Sequence, residues 1–139
     1  MPDTPAPRIL LIDDDPVVRG SVQALLEYLG YHCKGAADGP SGLELFERAT
    51  WDLVITDLML PGMTGWHVVD AIRERVPRLP VIVLSGADHP GLRTVASQCR
   101  VFLLFKPFDL DALKGVLASA LRAFAPSSTT SGNLGAPSE

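Results

Sequence analysis

The sequence predicts an α/β domain with a doubly wound, five-stranded parallel sheet. Short apolar runs alternate along the chain with segments whose apolar residues repeat at helical spacing. The runs are also continuous rather than alternating in polarity, which is typical of strands that helices cover on both faces of a parallel sheet. Right-handed crossovers limit the topologies, and we expect the strand order 2-1-3-4-5.

The first half of the chain supplies three of these strands. Residues 9–12 form the first apolar run, and Pro16, preceded by three acids, begins a helix that Gly30 ends. Apolar residues repeat along that helix at helical spacing: Val18, Val22, Leu25, Leu26 and Leu29. The next elements follow in order: a strand near residues 31–36, a helix near 40–49 and a strand at 53–56.

The second half of the chain repeats the alternation. A Pro-Gly loop over residues 58–65 leads to a helix with Trp66, Val69 and Ile72. The later elements are a strand at 80–84, a weaker helix near 90–98, a strand at 101–105 and a helix from about 109 to 124. The predicted domain therefore covers residues 8–124, between a disordered lead at 1–7 and a disordered tail at 125–139.

Composition excludes several classes of protein. A formal net charge of −4 argues against direct binding to nucleic acid, which normally needs a basic patch. The two cysteines, Cys33 and Cys99, form no CxxC pattern and are expected to be reduced thiols. No apolar run approaches the ~18 residues of a membrane span, and no signal peptide is evident. We therefore expect a cytoplasmic protein without a membrane partner.

Polar side chains follow four of the predicted strands at the point where each strand ends. Asp13 and Asp14 follow strand 1, Asp57 follows strand 3, Ser85 follows strand 4 and Lys106 follows strand 5. Clustered carboxylates repel one another by ~1 to 4 kcal/mol per pair, depending on the local dielectric. A hard divalent cation such as Mg²⁺ offsets that repulsion, and a carboxylate can itself accept a phosphoryl group.

Four blocks of sequence carry a resemblance to the receiver domains of response regulators. They are Leu-Ile-Asp-Asp-Asp-Pro, Val-Ile-Thr-Asp-Leu-Met-Leu-Pro-Gly-Met-Thr-Gly, Val-Leu-Ser-Gly and Phe-Lys-Pro-Phe. The blocks occur in the order and spacing of that family, and the resemblance covers about residues 8–124. It implies the flavodoxin-like (βα)5 receiver fold.

The resemblance also implies a role for each residue at the strand ends. Asp57 is expected to be the phosphoacceptor, with Ser85 and Lys106 contacting phosphoryl oxygens. The Lys106–Pro107 peptide bond is expected to be cis, as in the family. The resemblance implies no enzymatic activity beyond the domain's own phosphorylation and dephosphorylation.

Mg²⁺, or Mn²⁺ in its place, is the cofactor that the resemblance implies. Asp14 and Asp57 are expected to bind the ion through their carboxylates, and Met59 through its backbone carbonyl. Asp13 is expected to act mainly through metal-bound water.

The implied partners are proteins. A sensor histidine kinase or a phosphotransfer protein is expected to donate the phosphoryl group, and a downstream protein to read it. The reading surface, and a homodimer if one forms, is expected on helix 4, strand 5 and helix 5. One residue departs from the family pattern there: Leu103 stands where receivers usually carry a switching Tyr or Phe.

Two other function classes stay open at this point. Leu103 is compatible with a pseudo-receiver, a binding module that works without phosphorylation. Residues 13–17 also satisfy the DxDx(T/V) pattern of haloacid-dehalogenase phosphatases, in which Asp13 would be the nucleophile. That alternative leaves Asp57 without a role.

Overall fold

The computed structural model describes residues 6–123, so the predicted disordered ends fall outside it apart from residues 6 and 7. Its five main strands are β1 (Arg8–Ile12), β2 (His32–Ala36), β3 (Leu53–Asp57), β4 (Val81–Ser85) and β5 (Phe102–Phe105). Its five helices are α1 (Pro16–Tyr28), α2 (Gly39–Arg48), α3 (Gly65–Arg75), α4 (Leu92–Cys99) and α5 (Leu110–Ala123). All five strands are parallel, and their order is β2-β1-β3-β4-β5, as predicted.

Two apolar cores lie on the two faces of the sheet. Successive residues of a strand point to opposite faces, so Ile9 and Leu11 enter one core while Leu10 and Ile12 enter the other. The first core is closed by apolar residues of α1 and α5: Val22, Leu26, Leu113 and Leu117. The second is closed by residues of α2, α3 and α4: Phe46, Val69, Ile72 and Ala96. Burial on both faces explains why the strands are continuously apolar.

The start of α1 is fixed next to the acidic residues that follow β1. The side chain of Asp15 accepts hydrogen bonds from the backbone N–H groups of Val17 and Val18, at 2.9 and 3.3 Å. Pro16 takes the first helical position, where its missing N–H costs nothing. Asp15 is therefore an N-cap, a role distinct from that of the two acids before it.

The structure differs from the sequence prediction between β3 and α3. A small antiparallel hairpin of Met59–Leu60 and Met63–Thr64 occupies the segment that was predicted to be a loop. Gly62 adopts a positive φ of 76° at its turn, and Leu60 is buried against the core below. The runs are two residues long, too short to produce a periodic signal in the sequence.

The fourth helix is regular but begins later than predicted. Gly91, with a φ of 86°, precedes its first residue, Leu92. At its other end the Arg73 guanidinium of α3 donates hydrogen bonds to the carbonyls of Cys99 and Arg100, at 3.3 and 2.9 Å.

Within residues 6–123, no helix is long and apolar enough to cross a membrane.

Gly65 allows α3 to begin against the end of β3. A Cβ atom at this position would lie 2.5 Å from the carbonyl oxygen of Asp57 and 3.0 Å from the Cα of Leu58. Both neighbours are backbone atoms, so neither can rotate away. The Gly65 backbone N–H donates to the Leu58 carbonyl at 2.6 Å, which holds the two segments together.

We expect Gly65→Ala to lower the free energy of unfolding by about 1 to 3 kcal/mol, because the added methyl group forces the backbone apart. Gly115→Ala is the matched control. Gly115 lies on α5, and a methyl group added there would meet no neighbour within 4 Å. That change should raise the free energy by about 0.5 to 1 kcal/mol through helix propensity. Urea unfolding measures both, and two shifts of the same sign would contradict this assignment.

Candidate functional site

The carboxyl ends of four strands bring the predicted polar residues to one edge of the sheet. Asp57 and Ser85 are the last residues of β3 and β4, whereas Asp13 and Lys106 each follow a strand directly. Backbone hydrogen bonds continue the ladders past the strand ends, from Asp13 N–H to the Ala36 carbonyl and from Lys106 N–H to the Ser85 carbonyl. The positions of these side chains are therefore set by the register of the sheet.

Three carboxylates form a cluster at this edge. One carboxylate oxygen from each of Asp13, Asp14 and Asp57 lies within 4.8 Å of the other two. Asp13 is fully buried, Asp57 is 8% exposed and Asp14 is exposed. The cluster therefore has two buried members and one that faces solvent.

Lys106 is the cation of the cluster. Its Nζ donates to Asp57 Oδ2 at 3.1 Å and to Asp13 Oδ2 at 3.2 Å, so a single ammonium joins two buried carboxylates. The following Lys106–Pro107 bond is cis, as predicted. Three carboxylates and one ammonium leave a formal excess of two negative charges.

Burial and the neighbouring charges shift the pKa values of Asp57 and Lys106, and both net shifts are upward. Burial raises the pKa of Asp57 above its ordinary value, and the charges of Asp13 and Asp14 add to that rise against the opposing effect of Lys106. Burial lowers the pKa of Lys106, but its hydrogen bonds and charge interactions with Asp57 and Asp13 outweigh burial, and the net shift is upward. The lysine is therefore a fixed positive charge at neutral pH.

Ser85 lies at the same edge, but its hydroxyl bonds elsewhere. Its Oγ donates to the Ala87 carbonyl at 2.6 Å and accepts from the Ala87 N–H at 3.2 Å. Met59 lies two residues beyond Asp57 and is 69% exposed. The structure thus joins Asp13, Asp14, Asp57 and Lys106 in one cluster and gives Ser85 a bond to its own loop.

Two further residues support the cluster and were not assigned to it from the sequence. Arg19, on α1, donates from Nη1 to the backbone carbonyl of Asp13 at 2.7 Å. Thr56 is fully buried and donates its hydroxyl to the backbone carbonyl of Asp57 at 3.0 Å. A lone arginine on a helix and a threonine in a strand match no motif, so the sequence could not have identified the first. The position of Thr56 beside Asp57 was the only signal for the second.

The face that carries Leu103 contains an aromatic ring two residues further along β5. Leu103 and Phe105 pack against the core below α4, while Phe102 packs on the opposite face. The guanidinium of Arg93, on α4, lies 5.0 Å from the centroid of the Phe105 ring. Arg93 also pairs with Asp88 at 3.0 Å, in the loop that follows β4.

Comparisons with known proteins place this geometry among signalling domains. The family model described as "Response regulator receiver domain" matches residues 9–118. RpaA, a DNA-binding dual master transcriptional regulator of Synechocystis, is 36% identical over 84% of the chain. The autoinducer 1 sensor kinase/phosphatase LuxN of Vibrio harveyi is 32% identical over 84% of the chain. The chain spans 49% of the length of the first relative and 14% of the second.

Comparison with solved structures also finds signalling proteins of this fold. Chemotaxis protein CheY4 of Vibrio cholerae superposes with a TM-score of 0.79 at 28% identity, covering 84% of this chain and 99% of that one. The signal receiver domain of an HD domain-containing protein from Pseudomonas fluorescens has a TM-score of 0.77 at 31% identity, covering 88% and 92%.

We expect Asp57→Asn to stabilise the protein at pH 7 in the absence of divalent cations. A raised pKa means that the ionised carboxyl destabilises the folded state relative to the unfolded chain, so removing the charge should add on the order of 1 kcal/mol, a few degrees in Tm. The gain should shrink below about pH 4, where the wild-type carboxyl is protonated in both states. Thermal unfolding at both pH values measures it.

Asp70→Asn is the control for this measurement, because Asp70 is an exposed acid on α3. Its Tm should move by less than one degree or so at either pH, since surface substitutions have small effects. An equal shift in both variants, or a lower Tm for Asp57→Asn at pH 7, would contradict the charge account.

Proposed function

The chain belongs to the response regulator receiver domain family of two-component signalling, and we propose that it accepts a phosphoryl group on Asp57. The observation that carries this proposal is the bridge from Lys106 to Asp13 and Asp57, beside Asp14, at the carboxyl edge of the sheet. A purely structural domain would gain nothing from burying mutually repelling carboxylates. A domain that must bind a phosphoryl group needs both a carboxylate nucleophile and a fixed cation.

The proposed reaction is a transfer from the phosphohistidine of a sensor kinase or a phosphotransfer protein. A carboxylate oxygen of Asp57 forms a bond to phosphorus as the histidine N–P bond breaks. The electron pair of that bond stays on the imidazole nitrogen of the donor, which takes up a proton from solvent. Lys106 already contacts Asp57, so it lies where the charge on the transferred oxygens is to be neutralised.

The cluster suits a bound Mg²⁺ or Mn²⁺ ion. All of its ligand atoms are oxygens, and its formal excess of two negative charges matches the charge of one divalent cation. Asp14 and Asp57 would hold the ion directly, the Met59 carbonyl would be a third ligand, and Asp13 would act through water. The ion, when bound, supplies further neutralisation of the phosphoryl oxygens.

Ser85 would act in the state that follows transfer. Its hydroxyl now bonds Ala87, and a phosphoryl oxygen on Asp57 would offer it a more strongly accepting partner. A turn of the hydroxyl towards Asp57 would release the Ala87 carbonyl and the loop before α4. The surface of α4, β5 and α5 is therefore where we place the binding of a downstream protein, or of a second copy.

A groove beside the site is suited to the donor protein. It has a volume of about 440 Å³, and Lys106 lines it, so it is continuous with the acidic cluster. Its remaining wall is largely apolar and comes from α1 and the start of the β5–α5 loop: Val17, Val18, Val22, Leu25, Pro107 and Phe108. Val17 is 74% exposed. An amphipathic helix that presents a phosphohistidine would cover these side chains, and we place this encounter in the cytoplasm.

Two alternative functions, the haloacid-dehalogenase phosphatase and the pseudo-receiver, remain to be compared with the structure. Asp13, the nucleophile of the phosphatase alternative, is fully buried and bound to Lys106, and the family match gives that alternative no support. The pseudo-receiver alternative rests on Leu103, which packs against the core where a switching ring is usual. The pseudo-receiver alternative predicts that Asp57 is not phosphorylated.

We expect wild-type protein incubated with Mg²⁺ and acetyl phosphate to gain the mass of one phosphoryl group. Asp57→Asn should gain none because it lacks the nucleophile, whereas the surface control Asp70→Asn should match wild type. A chelator should abolish the gain. Intact-protein mass spectrometry measures all four. A gain that persists in Asp57→Asn would move the acceptor to another residue, and no gain in wild type would favour the pseudo-receiver.

A further inference from the structure

A second groove lies at the opposite end of the sheet from Asp57. It has a volume of about 430 Å³ and is lined by Ala6, Arg8, His32, Cys33, Lys34 and Trp51. Trp51 precedes Asp57 by six residues of nearly extended chain, so the two ends are roughly 20 Å apart. The groove is therefore separate from the acidic cluster and plays no part in the proposed phosphoryl transfer.

Basic side chains converge on this groove because of the strand register. Arg8 pairs with His32 across β1 and β2, and Lys34 lies two residues further along, on the same face as His32. All three are exposed. Within residues 6–123, neither Arg8 nor Lys34 has a carboxylate partner within 4.0 Å. The nearby Asp52 carboxylate instead accepts the backbone N–H of Arg8, at 2.7 Å.

The Arg8 guanidinium is held in place by an aromatic ring. It lies 5.0 Å from the centroid of Trp51, whose indole N–H donates to the Leu45 carbonyl at 3.2 Å. Stacking occupies a face of the guanidinium and leaves its N–H groups, which lie in the plane, able to donate. Among the described residues, the side chain of Arg8 donates to no other group. Arg8 thus presents a pre-oriented pair of donors to an anion.

The Cys33 side chain packs on the opposite face of β2, against the core of α1 and α5, and its thiol does not oppose an anion in the groove. Burial, with a contribution from Glu27, raises the pKa of Cys33 to about 12, so its sulfur is uncharged at neutral pH. The groove therefore offers two fixed positive charges and an imidazole within a volume typical of small-ligand sites.

We propose that this groove binds the phosphate group of a small ligand, with Arg8 as the bidentate donor and Lys34 as the second cation. Phosphate is favoured over a simple carboxylate because its higher charge and additional oxygens can engage both cations and His32 at once. Such a ligand would bind independently of the state of Asp57.

Pyrophosphate is the probe for this proposal, titrated by calorimetry into the full chain in chelator-containing buffer without divalent cations. We expect saturable binding of one equivalent, unchanged in Asp57→Asn, which removes a central group of the acidic cluster. Lys34→Gln and Arg8→Gln should each weaken binding roughly tenfold, the loss expected for one charge-assisted contact. Arg8→Lys should also weaken it, because lysine cannot donate through a planar fork.

Lys114→Gln is the matched control, because Lys114 is an exposed lysine on α5. It should bind pyrophosphate as wild type does. Chloride and acetate at the same ionic strength should give no saturable binding. Loss of affinity equal in Lys114→Gln and Lys34→Gln, saturable binding of acetate with the same affinity, or no binding by wild type would each overturn the proposal. An affinity that changes in Asp57→Asn would place the anion at the acidic cluster instead and would also overturn the proposal.

Discussion

The contact of one ammonium group with two buried carboxylates is the interaction on which the site depends. Lys106 lies 3.1 Å from Asp57 and 3.2 Å from Asp13, and both aspartates are nearly or fully removed from solvent. Removing the positive charge of Lys106 would leave both carboxylates buried without compensation, which costs on the order of several kcal/mol. The sheet and its loops therefore hold the ends of β1, β3 and β5 close enough for these three side chains to bond.

Parallel pairing of the strands positions the strand ends, and a few close contacts fix the backbone beside them. Gly65 lets α3 begin against the backbone of Asp57, while Thr56 and Arg19 bond the carbonyls of Asp57 and Asp13. These contacts hold the backbone rather than the carboxylates. Of the carboxylate oxygens, Asp13 Oδ1 accepts the backbone N–H of Asp15 at 3.0 Å, whereas Oδ2 of Asp13 and Oδ2 of Asp57 accept from Lys106. Rigid backbone with available side-chain oxygens is the arrangement expected of a pre-organised site.

Sequence alone predicted most of this arrangement, for a physical reason. A strand buried on both faces is apolar throughout, so a polar residue at its end is conspicuous, and Asp13, Asp57, Ser85 and Lys106 were found in this way. The hairpin after β3 was missed, because two-residue strands have no period. The direction of the Ser85 hydroxyl was also beyond prediction, since it depends on a rotation that leaves the sequence pattern unchanged.

The groove around Arg8 was also beyond prediction from the sequence. Arg8, His32 and Lys34 are spread over two strands, and Trp51 lies just before a third. Only the register of β1 with β2 brings the three basic residues together, and no spacing in the sequence indicates that register. The strand-end cluster was predictable because parallel strands share one carboxyl edge, whereas the groove around Arg8 depends on a pairing register that only the fold shows.

Calorimetric titration of Mg²⁺ into wild type and Lys106→Met measures whether Lys106 and the proposed divalent cation compete for the carboxylates of the cluster. We expect one binding site in wild type and tighter binding in Lys106→Met, because the methionine frees Asp57 and Asp13 from a competing positive charge. A wild type that binds no Mg²⁺ would remove the proposed metal site, and a variant that binds Mg²⁺ more weakly would show that Lys106 does not compete with the ion.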